Sequence, residues 1–331
     1  GISQQPDYWG NDYFDDTYMV NGTPTKFEGY CTDVWFDQAM EFIERNADDP
    51  FLCYVSTNAP HGPFRVAESY SGQYRGRVAD SRARFYGMIT NIDENLARLR
   101  DKLSELDIER DTILVFMTDN GTAAGCSLDR DGFVREGYNA GMRGVKGSEY
   151  EGGHRVTFFL HWPAGGLVDG RDVDTLTANI DILPTLADMC GIRGPDADSI
   201  HGKSIAPLLE DDGAAWPDRV VVTDSQRVET PIKWRKSATM TDRWRLVNGE
   251  ELYDIRADPE QRDDVAAAHP GVVAELRDEY ETWWDIVSER FDDDPAIVIG
   301  SEHEPESRIT CHDWHNENSA SAWNQGMVRQ G

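Results

Sequence analysis

Residues 112–121 read Thr112-Ile113-Leu114-Val115-Phe116-Met117-Thr118-Asp119-Asn120-Gly121. The run Thr112 to Met117 is too short for a helix and apolar on both faces, so it reads as a strand covered on both sides. Asp-Asn-Gly is turn chemistry and ends it. Working outward, Phe51 to Ser56 (FLCYVS) is a second run of the same kind and leads into the turn-rich stretch Asn58-Ala59-Pro60-His61-Gly62-Pro63. Between the two, Phe85, Met88, Ile89, Ile92, Leu96, Leu99 and Leu103 recur at helical spacing, which predicts a helix from Ser81 to Leu106. Val156 to His161 is another predicted strand, and Asp181-Ile-Leu-Pro-Thr-Leu opens a short helix that stops at Gly191.

Apolar runs alternating with amphipathic helices predict an α/β fold with a mostly parallel sheet sandwiched by helices. In such sheets ligands gather beyond the carboxyl ends of the strands. His61 and the pair Asp119-Asn120 each follow such an end, so the layout predicts that they converge.

The texture changes near residue 228. Lys233 to Met240 and Trp244 to Ile255 read as antiparallel strands, with Asn248-Gly249 as a hairpin turn. A helix from about Val272 to Ser288 follows, carrying Trp283 and Trp284, and beyond Asp292 the chain is polar. Two domains are expected: residues 1–228, a main α/β domain incomplete at its N-terminus, and residues 229–331, a smaller C-terminal α+β domain.

The 331 residues hold 32 basic and 61 acidic side chains, a net charge of −29. Such a surface repels nucleic acid and anionic membranes, and no apolar run approaches the length of a membrane-spanning helix. The start, Gly1-Ile2-Ser3-Gln4-Gln5-Pro6, has neither the basic nor the apolar part of an export signal, and Gly1 is no initiator. It reads as a cut or processed end. The five cysteines are scattered without a C-x-x-C pair, and Cys53 and Cys190, in apolar surroundings, are expected to be buried.

Asp119 and Asn120 offer a carboxylate and an amide oxygen side by side, suited to Ca²⁺ or Mg²⁺; the same pair would also serve as an Asx-turn. From Gly141 to Val156 the chain reads Gly-Met-Arg143-Gly-Val-Lys146-Gly-Ser-Glu-Tyr-Glu151-Gly-Gly-His154-Arg155-Val. Five glycines let backbone approach a ligand, and Lys146 suits an exposed sulfate or phosphate oxygen. A glycine-rich surface loop is the plainer alternative. His61, between two prolines, is either structural or a proton donor and anion binder. The pair His312 and His315 has a spacing compatible with metal binding but no further ligands, and the tryptophans at 283 and 284 read equally as packing or as a sugar- or aryl-binding rim.

Taken together, Asn-Ala-Pro-His61-Gly-Pro, Thr-Asp119-Asn120-Gly and Gly-x-Lys146-Gly-x-x-x-Glu151-Gly-Gly-x-Arg155-Val resemble the sulfatase family of the alkaline phosphatase superfamily. Asp181-Ile-Leu-Pro-Thr-Leu, His201-Gly-Lys-Ser-Ile-Ala-Pro-Leu-Leu and Glu251-Leu-Tyr-Asp-Ile-x-x-Asp258-Pro are similar to later landmarks of that family. The resemblance implies hydrolysis of sulfate esters, carried by a small molecule or a carbohydrate, in a periplasmic or secreted protein. It makes Asp119 and Asn120 ligands of one calcium ion, Lys146 a sulfate binder, and His61 a sulfate contact and general acid. Arg143 and His154 become substrate-rim residues, and Glu151 and Arg155 supporting ones.

The family's nucleophile is a formylglycine made from Cys or Ser in a C-x-P-S-R or C-x-A-x-R motif, and none of the five cysteines stands in one. Cys126-Ser-Leu-Asp-Arg130 has the arginine but Leu128 in place of Pro or Ala, and it follows the Asp-Asn pair where the family order puts it before. The formylglycine is therefore expected ahead of residue 1, the calcium shell is expected to be incomplete, and these residues alone are expected to be inactive. Two alternatives stay open: a phosphonate monoester hydrolase or phosphodiesterase on the same fold, and a non-catalytic sulfatase-like binding protein.

Overall fold

The computed structural model describes residues 11–291 apart from 169, 195–199, 212, 227 and 229, together with 299–300, 302–303 and 306–307. The cluster Cys311 to His315, with His312, lies outside the described residues. The chain divides into two compact units, residues 1–108 with 293–331, and residues 109–292.

In the first unit, β1 (Thr17–Val20) and β2 (Thr23–Lys26) form an antiparallel hairpin. Helix α1 (Cys31–Arg45) follows, then the short α2 (Glu68–Ser71) and the long α3 (Asp80–Glu105). The predicted helix is thus present within a residue of its expected ends. Helix α3 buries Phe85, Met88, Leu99 and Leu103, and on the same stripe Asn91 and Asn95. Those two amides are satisfied across the helix pair: both donate to Asp33 Oδ1 on α1, at 2.8 and 2.7 Å. An unbonded amide there would cost about 1–3 kcal/mol. Tyr13, Tyr18, Tyr30, Cys31, Val34, Ala59 and Met88 complete the core.

In the second unit, β3 (Leu114–Met117) pairs with β6 (Phe158–His161), and between them lie the hairpin β4 (Cys126–Leu128) with β5 (Val134–Gly137) and the turn of helix α4 (Glu151–His154). Helices α5 (Ile182–Met189) and α6 (Ala206–Glu210) lead to a four-stranded sheet ordered β10-β9-β8-β7. Its strands are β7 (Val221–Asp224), β8 (Ser237–Met240), β9 (Trp244–Val247) and β10 (Glu251–Asp254). Asn248 (φ +51°) and Gly249 (φ +71°) make the expected turn between β9 and β10, closed by Glu250 N–H to Val247 C=O at 3.0 Å. Two positive φ values are what a type I′ turn demands. Helix α7 (Pro270–Ser288) covers this sheet, with Leu276 packed on Leu246 and Leu252. Trp283 and Trp284 pack around the buried Tyr280, at 5.4 and 6.0 Å between ring centres.

The structure departs from the sequence expectations at four points. The α/β class holds, while every ladder between named strands among the described residues is antiparallel, where a mostly parallel sheet was predicted. A doubly apolar run reports burial of both faces and is silent on direction; β3 and β6 meet through a long excursion, not a helical crossover. Phe51 to Ser56 joins no ladder among the described residues, and Leu52 and Tyr54 are 81% and 85% exposed. The cysteines also differ: Cys53 is half-buried and Cys190 exposed, whereas Cys31 and Cys126 are the buried ones. The change of texture near residue 228 falls inside one sheet, because β7 before it pairs with β8 after it.

Candidate functional site

Two loops of the second unit are stitched together through their backbones. The turn after β3 receives Gly153 C=O on Gly121 N–H at 3.0 Å and Thr157 C=O on Thr118 N–H at 3.1 Å. Its Thr122 C=O accepts Lys146 N–H at 3.0 Å. The glycine-rich loop closes on itself through Gly152 N–H to Arg143 C=O and Gly153 N–H to Tyr150 C=O, each 2.8 Å. The contact is tight enough to exclude a methyl group: a Cβ on Gly121 would stand 1.8 Å from Gly152 O, and one on Gly152 would stand 2.2 Å from Gly144 O. The glycines are there for backbone-to-backbone approach, not merely for flexibility. Gly121→Ala is therefore expected to lower the stability of this unit by about 1–3 kcal/mol or more, as overpacking does. Urea denaturation checks this, and an unchanged midpoint would show the loops move apart freely.

The backbone at Lys146 is thus tied to the turn that carries Asp119 and Asn120. Asn120 Nδ2 donates to Asp119 Oδ1 at 2.7 Å, which turns the amide oxygen away from that carboxylate. Asp119 is exposed and makes no ion pair among the described residues, so its charge is left for an external cation. Among the described residues no cluster of three or more His, Cys, Asp or Glu could hold a metal. As placed, the pair presents one hard-cation ligand, the Asp119 carboxylate, and the Asn120 amide would have to turn over for its oxygen to join it. Lys146 is half-buried as a residue, and its ammonium has neither hydrogen bond nor carboxylate partner among the described residues. It lines an open cleft of about 500 Å³ together with Arg130, Asp131, Arg143, Glu149 and Lys236. Asp119 and Asn120 are not in its walls.

Arg143 and His154 are turned to other work. The Arg143 guanidinium lies 3.9 Å from the Tyr150 ring centre and donates to Tyr253 Oη at 2.8 Å, to Gln261 O at 3.3 Å and to Asp131 O at 3.0 Å. With 15% of its side chain exposed, it ties the glycine-rich loop to β10 while also standing in the wall of the Lys146 cleft. Burial and the Glu251 carboxylate, which accepts from both phenols, hold Tyr150 and Tyr253 well above the usual phenol range. His154 Nε2 stands 3.2 Å from Glu149 O, and burial outweighs the pull of Glu151 to hold its pKa below the ordinary value. A half-buried imidazole so placed braces the loop. Glu151 is buried against Arg245 at 2.6 Å, and Gln261 Oε1 accepts the Glu151 N–H at 2.8 Å.

His61 belongs to the first unit, where Tyr13 Oη donates to its carbonyl at 2.8 Å and its N–H donates to Asn58 O at 2.9 Å. Its ring is exposed, with Nδ1 2.7 Å from Gly62 O. A carbonyl only accepts, so Nδ1 carries the hydrogen and Nε2 is the nitrogen that can gain or lose a proton. Cys126 is buried on β4, which removes it as a nucleophile. Sequence reasoning passed over Lys236, whose Nζ donates to Gly147 O at 2.9 Å. The signal available was Lys233-Trp-Arg-Lys236, a basic run in an acidic chain.

Comparison with known proteins fits this geometry. The family model described as Sulfatase matches residues 3–192, and that described as N-sulphoglucosamine sulphohydrolase, C-terminal, matches residues 146–283. Steryl-sulfatase of Homo sapiens is 30% identical over 52% of this chain and 28% of its own length. An arylsulfatase of Clostridium perfringens is 32% identical over 68% and 51%. N-acetylgalactosamine-6-O-sulfatase of Bacteroides thetaiotaomicron is 28% identical over 76% and 50%. The chain thus spans between about a quarter and a half of the length of these curated relatives. Among solved structures, Ps i-CgsB in complex with k-i-k-neocarrahexaose superposes with a TM-score of 0.68 at 24% identity, over 80% of this chain and 56% of that one. The phosphonate monoester hydrolase of Agrobacterium radiobacter gives 0.55 at 19%, over 91% and 68%. At such identities these structures show a shared fold and nothing more, and the family model covering more than half of the sequence establishes that the chain belongs to the sulfatase family.

Proposed function

We propose that the protein hydrolyses sulfate esters and that Lys146 holds the sulfate. The observation that carries this is an ammonium without a partner among the described residues, on a loop sewn by backbone hydrogen bonds to the Asp119-Asn120 turn. A lysine with no internal partner is free to donate to an anionic oxygen, and such charge-assisted bonds are the stronger class. Its fixed position favours charge that grows on the sulfate as the ester bond breaks. The family resemblance gives the proton-donor role to His61, on the other unit, where Nε2 is the atom available. Asp119 and Asn120 would hold one calcium ion, which supplies positive charge, and a formylglycine outside these residues would supply the attacking oxygen. With two protein ligands from this chain, calcium affinity should fall in the weak class, on the order of millimolar.

The test is titration calorimetry with 4-nitrophenyl sulfate, with and without calcium, alongside an assay for its turnover. Lys146→Ala is expected to weaken binding about tenfold or more, equal to about 1.4 kcal/mol, and these 331 residues to release no nitrophenol. Equal binding by the variant would remove Lys146 from the reading. Turnover that Lys146→Ala abolishes would show that the nucleophile lies within the chain. Selective hydrolysis of a phosphonate monoester would favour the other enzyme class on this fold.

A further inference from the structure

The turn before β8 places Lys233, Arg235 and Lys236 within four residues of a chain whose net charge is −29. Trp234 and Lys236 hold φ of +68° and +51°, the left-handed region where side chains are strained. Such backbone persists only where its surroundings over-determine it, and it gathers at ligand clamps. Here the surroundings are explicit. Tyr280 stacks on Trp234 at 3.8 Å and accepts its N–H at 2.9 Å, and Asn248 Oδ1 accepts Ser237 N–H at 3.2 Å.

This turn is fastened to the loop that carries Lys146. Gly147 O accepts both Lys236 Nζ, at 2.9 Å, and Ser225 Oγ, at 3.3 Å. Lys236 also stands in the wall of two cavities: the Lys146 cleft, and a neighbouring one of about 370 Å³. The other walls of the second cavity are Glu149, Lys233, Trp234, Arg235, Asn248 and Glu250. Lys233 is taken by Glu281, and Glu149 accepts from Asn248 Nδ2 at 3.2 Å. Arg235 is exposed, and among the described residues its guanidinium has no partner. Beside it the Glu250 carboxylate can accept from ring hydroxyl groups and the Trp234 indole offers an N–H, while the Asn248 amide is spent on Ser237 and Glu149.

We propose that the second cavity receives a second anionic group of the same ligand, so that the substrate is an oligosaccharide bearing a sulfate or carboxylate on the ring next to the sulfate at Lys146. Arg235 is the recognition residue, because a guanidinium meets two sulfate or carboxylate oxygens in a planar fork. Lys236 joins the two subsites. This assignment rests on the reading of Lys146 as the sulfate binder.

The experiment is calorimetry at fixed ionic strength, on the full chain, with three probes: galactose 6-sulfate, a galactose disaccharide sulfated on each ring, and that disaccharide without its distal sulfate. The wild type should bind the disulfated disaccharide about tenfold more tightly than the monosulfated one, or better. In Arg235→Gln this ratio should fall below about threefold. Equal affinity for the two disaccharides, no binding of the disulfated one, or a ratio that survives Arg235→Gln would each overturn the proposal. Lys146→Ala, measured against galactose 6-sulfate, reports separately on the reading beneath it.

Discussion

Arg245→Met is expected to destabilise the second unit by about 3–5 kcal/mol at neutral pH, the cost of leaving one member of a buried ion pair alone. The side chains of Arg245 and Glu151 are 6% and 2% exposed, and Nε lies 2.6 Å from Oε1. Burial pushes the Glu151 carboxyl up, but Arg245, with His154 and Arg155, more than offsets this and holds its pKa below the ordinary 4.5. A depressed carboxyl contributes stability above its unfolded pKa and loses it as pH falls through the folded one. His154 acts in the same direction. Its pKa, held below 6.5, means the unfolded chain binds the extra proton, so stability is lost as pH drops below that value. Arg245→Met removes the main force holding Glu151 down and leaves burial to raise it. The deficit should then shrink as the carboxyl protonates, in contrast to the acid-sensitive wild type. Urea unfolding at pH 7 and near pH 4 distinguishes these cases. A deficit constant across that range would mean the arginine acts by packing alone. Combining Arg245→Met with Glu151→Gln should recover part of the loss, since no buried charge is then left unpaired.

How much of this was legible beforehand depends on which forces leave marks in a sequence. Helix α3 was legible because amphipathic spacing repeats along it, and the β9–β10 hairpin because Asn-Gly suits two left-handed residues. The turn at Asp119 and the loop at Lys146 were legible as motifs, and the structure joins them through Gly121 N–H, Gly153 O and Lys146 N–H. Strand direction was not legible. Leu114 to Met117 is equally apolar whichever way its partner runs, and only the connection to Phe158 decides it. Side-chain destinations were also hidden. Arg143 looked like a ligand residue by its company, yet its guanidinium is claimed by Tyr253 and Gln261, more than 100 residues on. Lys236 reaches back 89 residues to Gly147, a contact no local pattern can announce.

Asp181→Ala should cost about as much as losing Arg245, ~3–5 kcal/mol, for a related but distinct reason. The sequence presented Asp181-Ile-Leu-Pro-Thr and His201-Gly-Lys-Ser-Ile as two separate landmarks. In the structure one carboxylate fastens them. Asp181 is 1% exposed; Oδ2 accepts Ala178 N–H at 2.8 Å and Oδ1 accepts Lys203 N–H at 2.9 Å. Arg219 Nη1 reaches both oxygens, at 2.9 and 2.8 Å, from a side chain only 7% exposed. Thr185 extends the link: its hydroxyl donates to Asp181 O at 2.5 Å and accepts Ile205 N–H at 3.0 Å. Alanine would strand a buried guanidinium and two backbone donors at once, so the penalty exceeds that of a single hydrogen bond. Asp181→Asn separates the contributions. It keeps the shape and one acceptor but sets an amide donor against Arg219 or a backbone N–H, and should recover little of the loss. Arg219→Met combined with Asp181→Ala removes the stranded charge and should recover part of it. Urea midpoints for the three variants decide the matter, and a loss below about 1 kcal/mol for Asp181→Ala would mean that water enters and replaces the carboxylate.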